Sequence, residues 1–344
     1  MSPEYNRWLD YLSSNGVQKK QASILAEYAD NLVKSNLPVI FEIEHLSNLL
    51  GIELSLLSRM SGASSLFYRD FCIPKRRGGV REIYSPYPKL AYVQLWIKGN
   101  ILERLPISDN AYAYTKGRSH IQNARAHIGA RELLKIDVKD FFNKIKILLI
   151  RQVFLNCGYT DNVASVLSNL CSYYGVLPQG ASTSPILSNI ILKKLDYDLQ
   201  HIAERYSLIF TRYADDITFS GNSISEDVRN EVIQYIERFG LPVNEDKVHL
   251  LKPKDKKIVT GLIVTDNSLR VSKQMRRAYR QESYYLIKNG ENQFDGTTKP
   301  LKPLYLDEVI GKGSYILQVE PENDYVRNTL RELSKLKSRL FSNV

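Results

Sequence analysis

Three aspartates carry the chemistry this sequence suggests. Asp215 and Asp216 stand side by side in Tyr213-Ala214-Asp215-Asp216, between the β-prone runs 208–213 and 217–220, and Asp137 closes the apolar run 133–138. Successive strand residues point to opposite faces, so two adjacent aspartates converge on one site only where a turn bends the chain. An Asp-Asp pair alone is more often a solvated turn; the third acid changes the reading. Carboxylates at the ends of neighbouring strands can hold two Mg²⁺ ions about 3.5 to 4 Å apart, one activating an attacking hydroxyl and the other neutralising a leaving pyrophosphate. Oxygen-only ligation suits magnesium. The chemistry is nucleotidyl transfer, in which a protein supplies positioning and charge compensation. An apolar strand ending in acid also occurs in P-loop NTPases, but no GxxxxGK[ST] loop occurs anywhere in the chain.

The acids then need another grip on phosphate. Lys75 and Arg81 flank a basic hairpin, Lys75-Arg76-Arg77-Gly78-Gly79-Val80-Arg81, whose glycine pair suits a tight reversal. A forked guanidinium and a point-charge ammonium could both fold onto a triphosphate, although such a hairpin is by itself usually a solvated loop. The stretch from Leu177-Pro178-Gln179-Gly180 to Ser184-Pro185 sets a turn with small residues ahead of an apolar helical pattern, Ile186, Leu187, Ile190, Ile191 and Leu195.

The elements that must hold these groups point to an α+β protein. Residues 1–65 read as helices, with Ile24, Leu25, Tyr28 and Leu32, and later Leu46, Leu49 and Leu50, at helical spacing. Helices are predicted over 87–105 and over 226–239, the second stopped by Gly240, and the chain after Thr265 turns helical and basic apart from a polar loop over 289–303. The net charge of +10 points to a polyanionic partner. Cys72, Cys157 and Cys171 form neither a disulfide framework nor a CxxC pair for zinc, and no signal-peptide pattern or membrane-length apolar run occurs, so a reducing cytoplasm and no membrane partner are expected.

Taken in order, these motifs resemble the reverse transcriptases: the basic hairpin, Ile136-Asp137-Val138 with Phe141-Phe142, Leu177-Pro178-Gln179-Gly180 with Ser184-Pro185, Tyr213-Ala214-Asp215-Asp216, the lysine-bearing Gly240 to Lys247 segment and Ile258 to Leu262. The likeness spans roughly residues 66 to 265. Two more motifs resemble the bacterial retron lineage in particular, Asn123-Ala124-Arg125-Ala126-His127 as NAxxH and Val259-Thr260-Gly261 as VTG, although His127 read alone could equally be a core histidine.

The resemblance implies a right-hand polymerase. Residues 1–65 would form a helical N-terminal region, 66–135 the fingers with 145–175 contributing, 136–144 and 176–265 the palm with an antiparallel sheet and the YADD hairpin, and 266–344 a helical, RNA-binding thumb. It implies that Asp137, Asp215 and Asp216 ligate two Mg²⁺ together with the Val138 carbonyl. Lys75 and Arg81 would hold the triphosphate, with Arg76 an alternative to Lys75; Gln179, Phe141 and Phe142 would line the dNTP site, Phe142 as steric gate. Lys247 would face the pyrophosphate, although Val248 follows it where many relatives carry threonine.

The resemblance further implies a cognate structured noncoding RNA, a branched DNA primed from a guanosine 2′-OH, and an effector protein encoded nearby within an antiphage system. Lys273, Arg276, Arg277 and Arg280 fall at i, i+3, i+4 and i+7 on one helical face, beside Lys252, Lys254, Lys256 and Lys257 and interleaved with Tyr279, Tyr284 and Tyr285, as an RNA-tracking surface would. Competing readings are another bacterial reverse transcriptase, of group II intron or abortive-infection type, and a catalytically silent RNA-binding scaffold.

Overall fold

The computed structural model describes residues 2–75, 78–289 and 304–341. Arg76, Arg77 and residues 290–303, which hold most of the predicted polar loop, lie outside them. The described strands form three antiparallel sheets set among helices. β1 (Tyr68–Pro74) and β2 (Val80–Pro86) make the basic hairpin, with Ile73 opposite Arg81. Gly78 and Gly79 sit at φ +92° and +80°, left-handed values that cost glycine no steric clash.

The central sheet runs β4-β5-β3-β6, from β3 (Glu132–Asp137), β4 (Ile209–Tyr213), β5 (Asp216–Gly221) and β6 (His249–Leu251). Leu133, Leu134, Ile136, Ile217 and Phe219 are buried, which is why these strands read as apolar runs rather than alternating ones. Their core extends into the N-terminal helices Lys19–Lys34, Ile43–Leu50 and Leu54–Gly62, through Leu32, Leu46, Leu50, Leu57 and Met60. The helices form where predicted, but not every apolar position at helical spacing faces inward. Ile24 and Leu49 are exposed, while Ala22, Ala26 and Ala29 are buried with Leu32. Small residues let a helix approach its neighbours closely, and a reading weighted by side-chain size looks past them.

The predicted helix over 87–105 ends sooner, as Pro88–Asn100 followed by a 3₁₀ turn at Leu102–Arg104, in keeping with the poor helix propensity of Gly99-Asn100. A third sheet, β7 (Ile258–Val259), β8 (Leu262–Val264) and β9 (Leu269–Arg270), extends past Thr265 into the region read as helical. Its strands are too short for periodicity to reveal. They share a second core with the helices Lys273–Asn289, Tyr305–Val319 and Asp324–Phe341, and with Ile121 and Ala124 of the short helix His120–Arg125.

One buried ion pair stiffens the central sheet. Arg212 on β4 is fully buried and forks onto Asp196 of the helix Lys193–Arg205, Nε to Oδ1 at 2.6 Å and Nη2 to Oδ2 at 2.7 Å. Its Nη1 donates to Asn189 Oδ1 at 3.1 Å and to the Ala214 carbonyl at 3.3 Å. Removing one partner strands the other charge without water, so Arg212→Met is expected to cost about 3 to 5 kcal/mol in urea unfolding. The double variant Arg212→Met with Asp196→Leu should recover much of that loss; a single variant within about 1 kcal/mol of wild type would show that the pair carries no such weight.

Candidate active site

Antiparallel register assembles the acids. Asp137, at the end of β3, lies opposite Asp216, the first residue of β5, and Asp216 in turn lies opposite Tyr213 at the end of β4. Asp215 occupies the turn between β4 and β5, where Ala214 takes φ +57°. That left-handed step lets consecutive aspartates serve one corner. The Val138 amide donates to the Asp215 carbonyl at 3.1 Å, so the strand bearing Asp137 and the turn are tied backbone to backbone.

The corner is electrostatically loaded. Burial, followed by the negative charges of Asp216 and Asp137, pushes Asp215 up to about 6. Asp216 is also raised, by burial and by Asp137, against the opposing pull of Lys135 and Lys247. Lys247 Nζ donates to Asp137 Oδ1 at 2.8 Å. Among the described residues no three carboxylate, imidazole or thiol groups are already closed around a metal position. The donor set nonetheless fits a hard divalent cation: three acids supply oxygen-only donors, and two of them, Asp215 and Asp216, are raised by burial and by neighbouring negative charge that the lysines offset only in part.

The predicted nucleotide residues differ in exposure and in what holds them. Phe141 is buried in the main core, whereas the Phe142 ring is partly open, so the aromatic pair divides into one packing residue and one available face. Gln179 is partly open, and its carbonyl accepts from the Tyr84 amide of β2 at 2.8 Å. Gly180 follows at φ +129°, and a Cβ there would lie 2.8 Å from the Tyr84 carbonyl, so only glycine lets this loop dock on the hairpin. Arg81 and Lys75 are exposed on the hairpin arms. A concavity of about 680 Å³ lined by Leu105, Leu149, Val153, Ile190, Tyr197 and Phe239 contains none of these groups.

The two lineage motifs are structural ties rather than contacts with the acids. His127 is fully buried, bonded through Nδ1 to Ser220 Oγ at 2.6 Å and through Nε2 to Thr211 Oγ1 at 2.7 Å, and it thereby clasps β4 and β5. Burial pushes its imidazole down to about 4, so it stays neutral. Asn123 and Ala124 are buried beside it in sequence, and Thr260 Oγ1 donates to the His120 carbonyl at 2.8 Å, joining the Val259-Thr260-Gly261 turn to the helix His120–Arg125.

The basic surface needs correction. Lys273, Arg277 and Arg280 are exposed on their helix and Arg276 partly so. Tyr279, expected on the RNA-tracking surface, is instead buried in the second core against Gly313. Lys257 is buried with its ammonium among the carbonyls of Lys252, Pro253 and Asp255, and Lys252 pairs with Glu132 at 3.0 Å. Charge and spacing show neither fate, because both depend on which elements pack over the helix and the loop. The sequence reading also missed Arg212, Asp196 and Asn189. A charged residue inside the apolar run 208–213 was the available signal, since such a residue needs a buried partner.

The chain matches the family described as reverse transcriptase (RNA-dependent DNA polymerase) over residues 73–277. It is 29% identical to the retron Mx162 reverse transcriptase of Myxococcus xanthus, covering 86% of this chain and 67% of that protein. It is 31% identical over 324 residues to the retron Ec86 reverse transcriptase of Escherichia coli, covering 92% of this chain and 97% of that protein. The chain belongs to the retron reverse transcriptases. As a retron reverse transcriptase it has the right-hand polymerase fold and is an RNA-directed DNA polymerase, so RNA is its template and DNA its product. The family uses divalent metal ions. Among solved structures, telomerase from Candida albicans in complex with a fragment of telomeric RNA aligns at 13% identity and TM-score 0.47, covering 80% of this chain and 64% of that one. No helix among the described residues is long and apolar enough to cross a membrane.

The raised Asp215 has a consequence for stability. An acid whose pKa rises on folding favours the fold while protonated, fully below its ordinary value of 3.8 and no longer once the pH climbs through about 6. With divalent cations chelated away, Asp215→Asn should therefore be more stable than wild type by about 1 to 3 kcal/mol at pH 8, a gain that vanishes below about pH 4. Equal unfolding free energies at pH 8 would contradict the burial of this charge.

Proposed function

We propose that this retron reverse transcriptase copies part of a structured noncoding RNA into a branched single-stranded DNA, primed from a guanosine 2′-OH within that RNA and built from dNTPs. The observation that supports a working site is the register of Asp137 against Asp216 with Asp215 in the adjoining turn. In this reading the three aspartates, with the Val138 carbonyl, would hold two Mg²⁺, whose charge would serve to activate the priming hydroxyl and to offset that of the departing pyrophosphate. Lys75 and Arg81 draw the triphosphate onto the hairpin. Gln179 lines the nucleotide pocket, and the partly open Phe142 ring, backed by Phe141, stands where a ribose 2′-OH would project. Lys247 exchanges Asp137 for the pyrophosphate side and can deliver a proton there.

The proposed divisions are an N-terminal helical region (1–65), fingers (66–135, with 145–175 contributing), a palm (136–144 and 176–265) and a thumb (266–344). The thumb carries the exposed Lys273, Arg277 and Arg280, with Arg276 beside them, as phosphate contacts for the RNA. By resemblance to retrons, the RNA–DNA product would restrain an effector protein encoded nearby, in the cytoplasm, as part of antiphage defence.

Purified chain supplied with its RNA, dNTPs and Mg²⁺ is expected to make RNA-linked DNA, and Asp215→Ala with Asp216→Ala to reduce synthesis to background while RNA affinity persists. Wild type inert on every RNA template, or a double variant that still extends, would defeat this reading. For the thumb, Lys273→Ala, Arg277→Ala and Arg280→Ala combined should flatten the slope of log Kd for RNA against log salt by about 2 to 3 units. An unchanged slope in a filter-binding titration would remove the three side chains from the interface.

A further inference from the structure

Residues 110–115 form neither helix nor extended strand, yet the fold ties them down beside the acid-bearing turn. The Arg212 amide donates to the Asn110 carbonyl at 2.8 Å, and the Tyr112 amide to the Arg212 carbonyl at 2.9 Å. Asn189 Nδ2 donates to the Ala113 carbonyl at 2.8 Å, and Thr115 Oγ1 to the carbonyls of Ala111 and Ala113 at 3.0 and 3.1 Å. Arg118 Nη1 adds a bond to the Ala111 carbonyl at 3.0 Å. The residue held between these anchors is Tyr114, at φ +58°. An aromatic side chain rarely adopts that left-handed backbone, and it persists only where the surroundings over-determine it.

Tyr114 does not spend this constraint on packing. It is 52% exposed, with its ring centroid 6.5 Å from that of Phe142 and the planes tilted by 46°. Partial burial raises its phenol, Asp215 and Tyr213 raise it further, and Arg81 pulls it down, so the group lies within the field of both a catalytic acid and the hairpin cation. One side chain thus stands beside the Phe142 ring while feeling the charges of Asp215 and Arg81.

We propose that Tyr114 is the second wall of the sugar slot: it flanks Phe142 and contacts the deoxyribose of the incoming nucleotide, so that sugar selectivity resides in an aromatic pair rather than in one ring. This rests on the reading of Phe142 as the face presented to the sugar. The flat face of Tyr114 does the work and its hydroxyl does not. Arg212, which holds the acid turn at the Ala214 carbonyl, and Asn189, to which it is bonded, also hold the 110–115 segment, so the slot and the acid corner share one support.

The test is single-nucleotide incorporation by the full chain on its own RNA, comparing dNTP with rNTP. Tyr114→Ala is expected to raise the dNTP KM about tenfold and to reduce the preference for dNTP by about tenfold or more, while Tyr114→Phe keeps both near wild type. Tyr114→Leu, which retains apolar bulk at the same backbone position, should show a partial relaxation and serves where the alanine variant folds poorly. A dNTP preference unchanged in Tyr114→Ala, or in Tyr114→Leu where that variant is used, overturns the inference. Phe142→Ala run in parallel separates the two readings: relaxed selectivity there with none at Tyr114 sinks only the second wall, whereas selectivity intact in both sinks the gate as well.

Discussion

Like charge held in a place with little water is the constraint around which this molecule is arranged. The pairing of Asp137 with Asp216 across two strands, with Asp215 in the adjoining turn, gathers three carboxylates, and for Asp215 and Asp216 burial disfavours ionisation and neighbouring negative charge worsens it. Such a corner is unfavourable for the folded chain by itself and becomes favourable when cations occupy it. Lys247 on Asp137 and Lys135 near Asp216 supply part of that compensation from within. Residual negative charge of this kind gives a metal-dependent transferase its affinity for divalent ions and for the polyphosphate they accompany.

A corner under such repulsion needs a rigid backing, and two buried polar devices provide it. Arg212 joins the helix bearing Asp196, the Asn189 amide and the Ala214 carbonyl, so the turn that carries Asp215 is fastened from beneath. His127 bridges Thr211 on β4 and Ser220 on β5, and remains neutral because burial holds its pKa low. The segment containing His127 also leads from the helix that meets Thr260, so the hairpin of the acids is linked through one short stretch of chain to the second core and its basic helix. The acid corner and the basic helix therefore belong to two cores joined at the lineage motifs.

Much of this was legible in the chain because the relevant signals are local. The apolar run before Asp137, the two runs around Asp215 and Asp216, and the Gly78-Gly79 reversal each follow from backbone preferences that neighbouring residues declare. The order of the motifs carried the family. The errors lie where burial depends on partners distant in sequence. Tyr279 and Lys257 have the side chains of a surface that meets RNA, yet packing encloses both. Ala22, Ala26 and Ala29 look unremarkable in sequence, yet they line the inner face of their helix.

By itself the sequence determined the order of the acids and basic residues and the local bends that make the meeting of Asp137, Asp215 and Asp216 feasible. Tertiary structure alone decided which of Phe141 and Phe142 stays open, that Lys247 rests on Asp137, that His127 is a clasp and that Tyr114 stands at the site's edge. The division has a physical cause. Side-chain chemistry and backbone bias are properties of a residue and its neighbours, whereas exposure, pairing and pKa are set by groups from elsewhere in the chain that folding brings within a few ångströms.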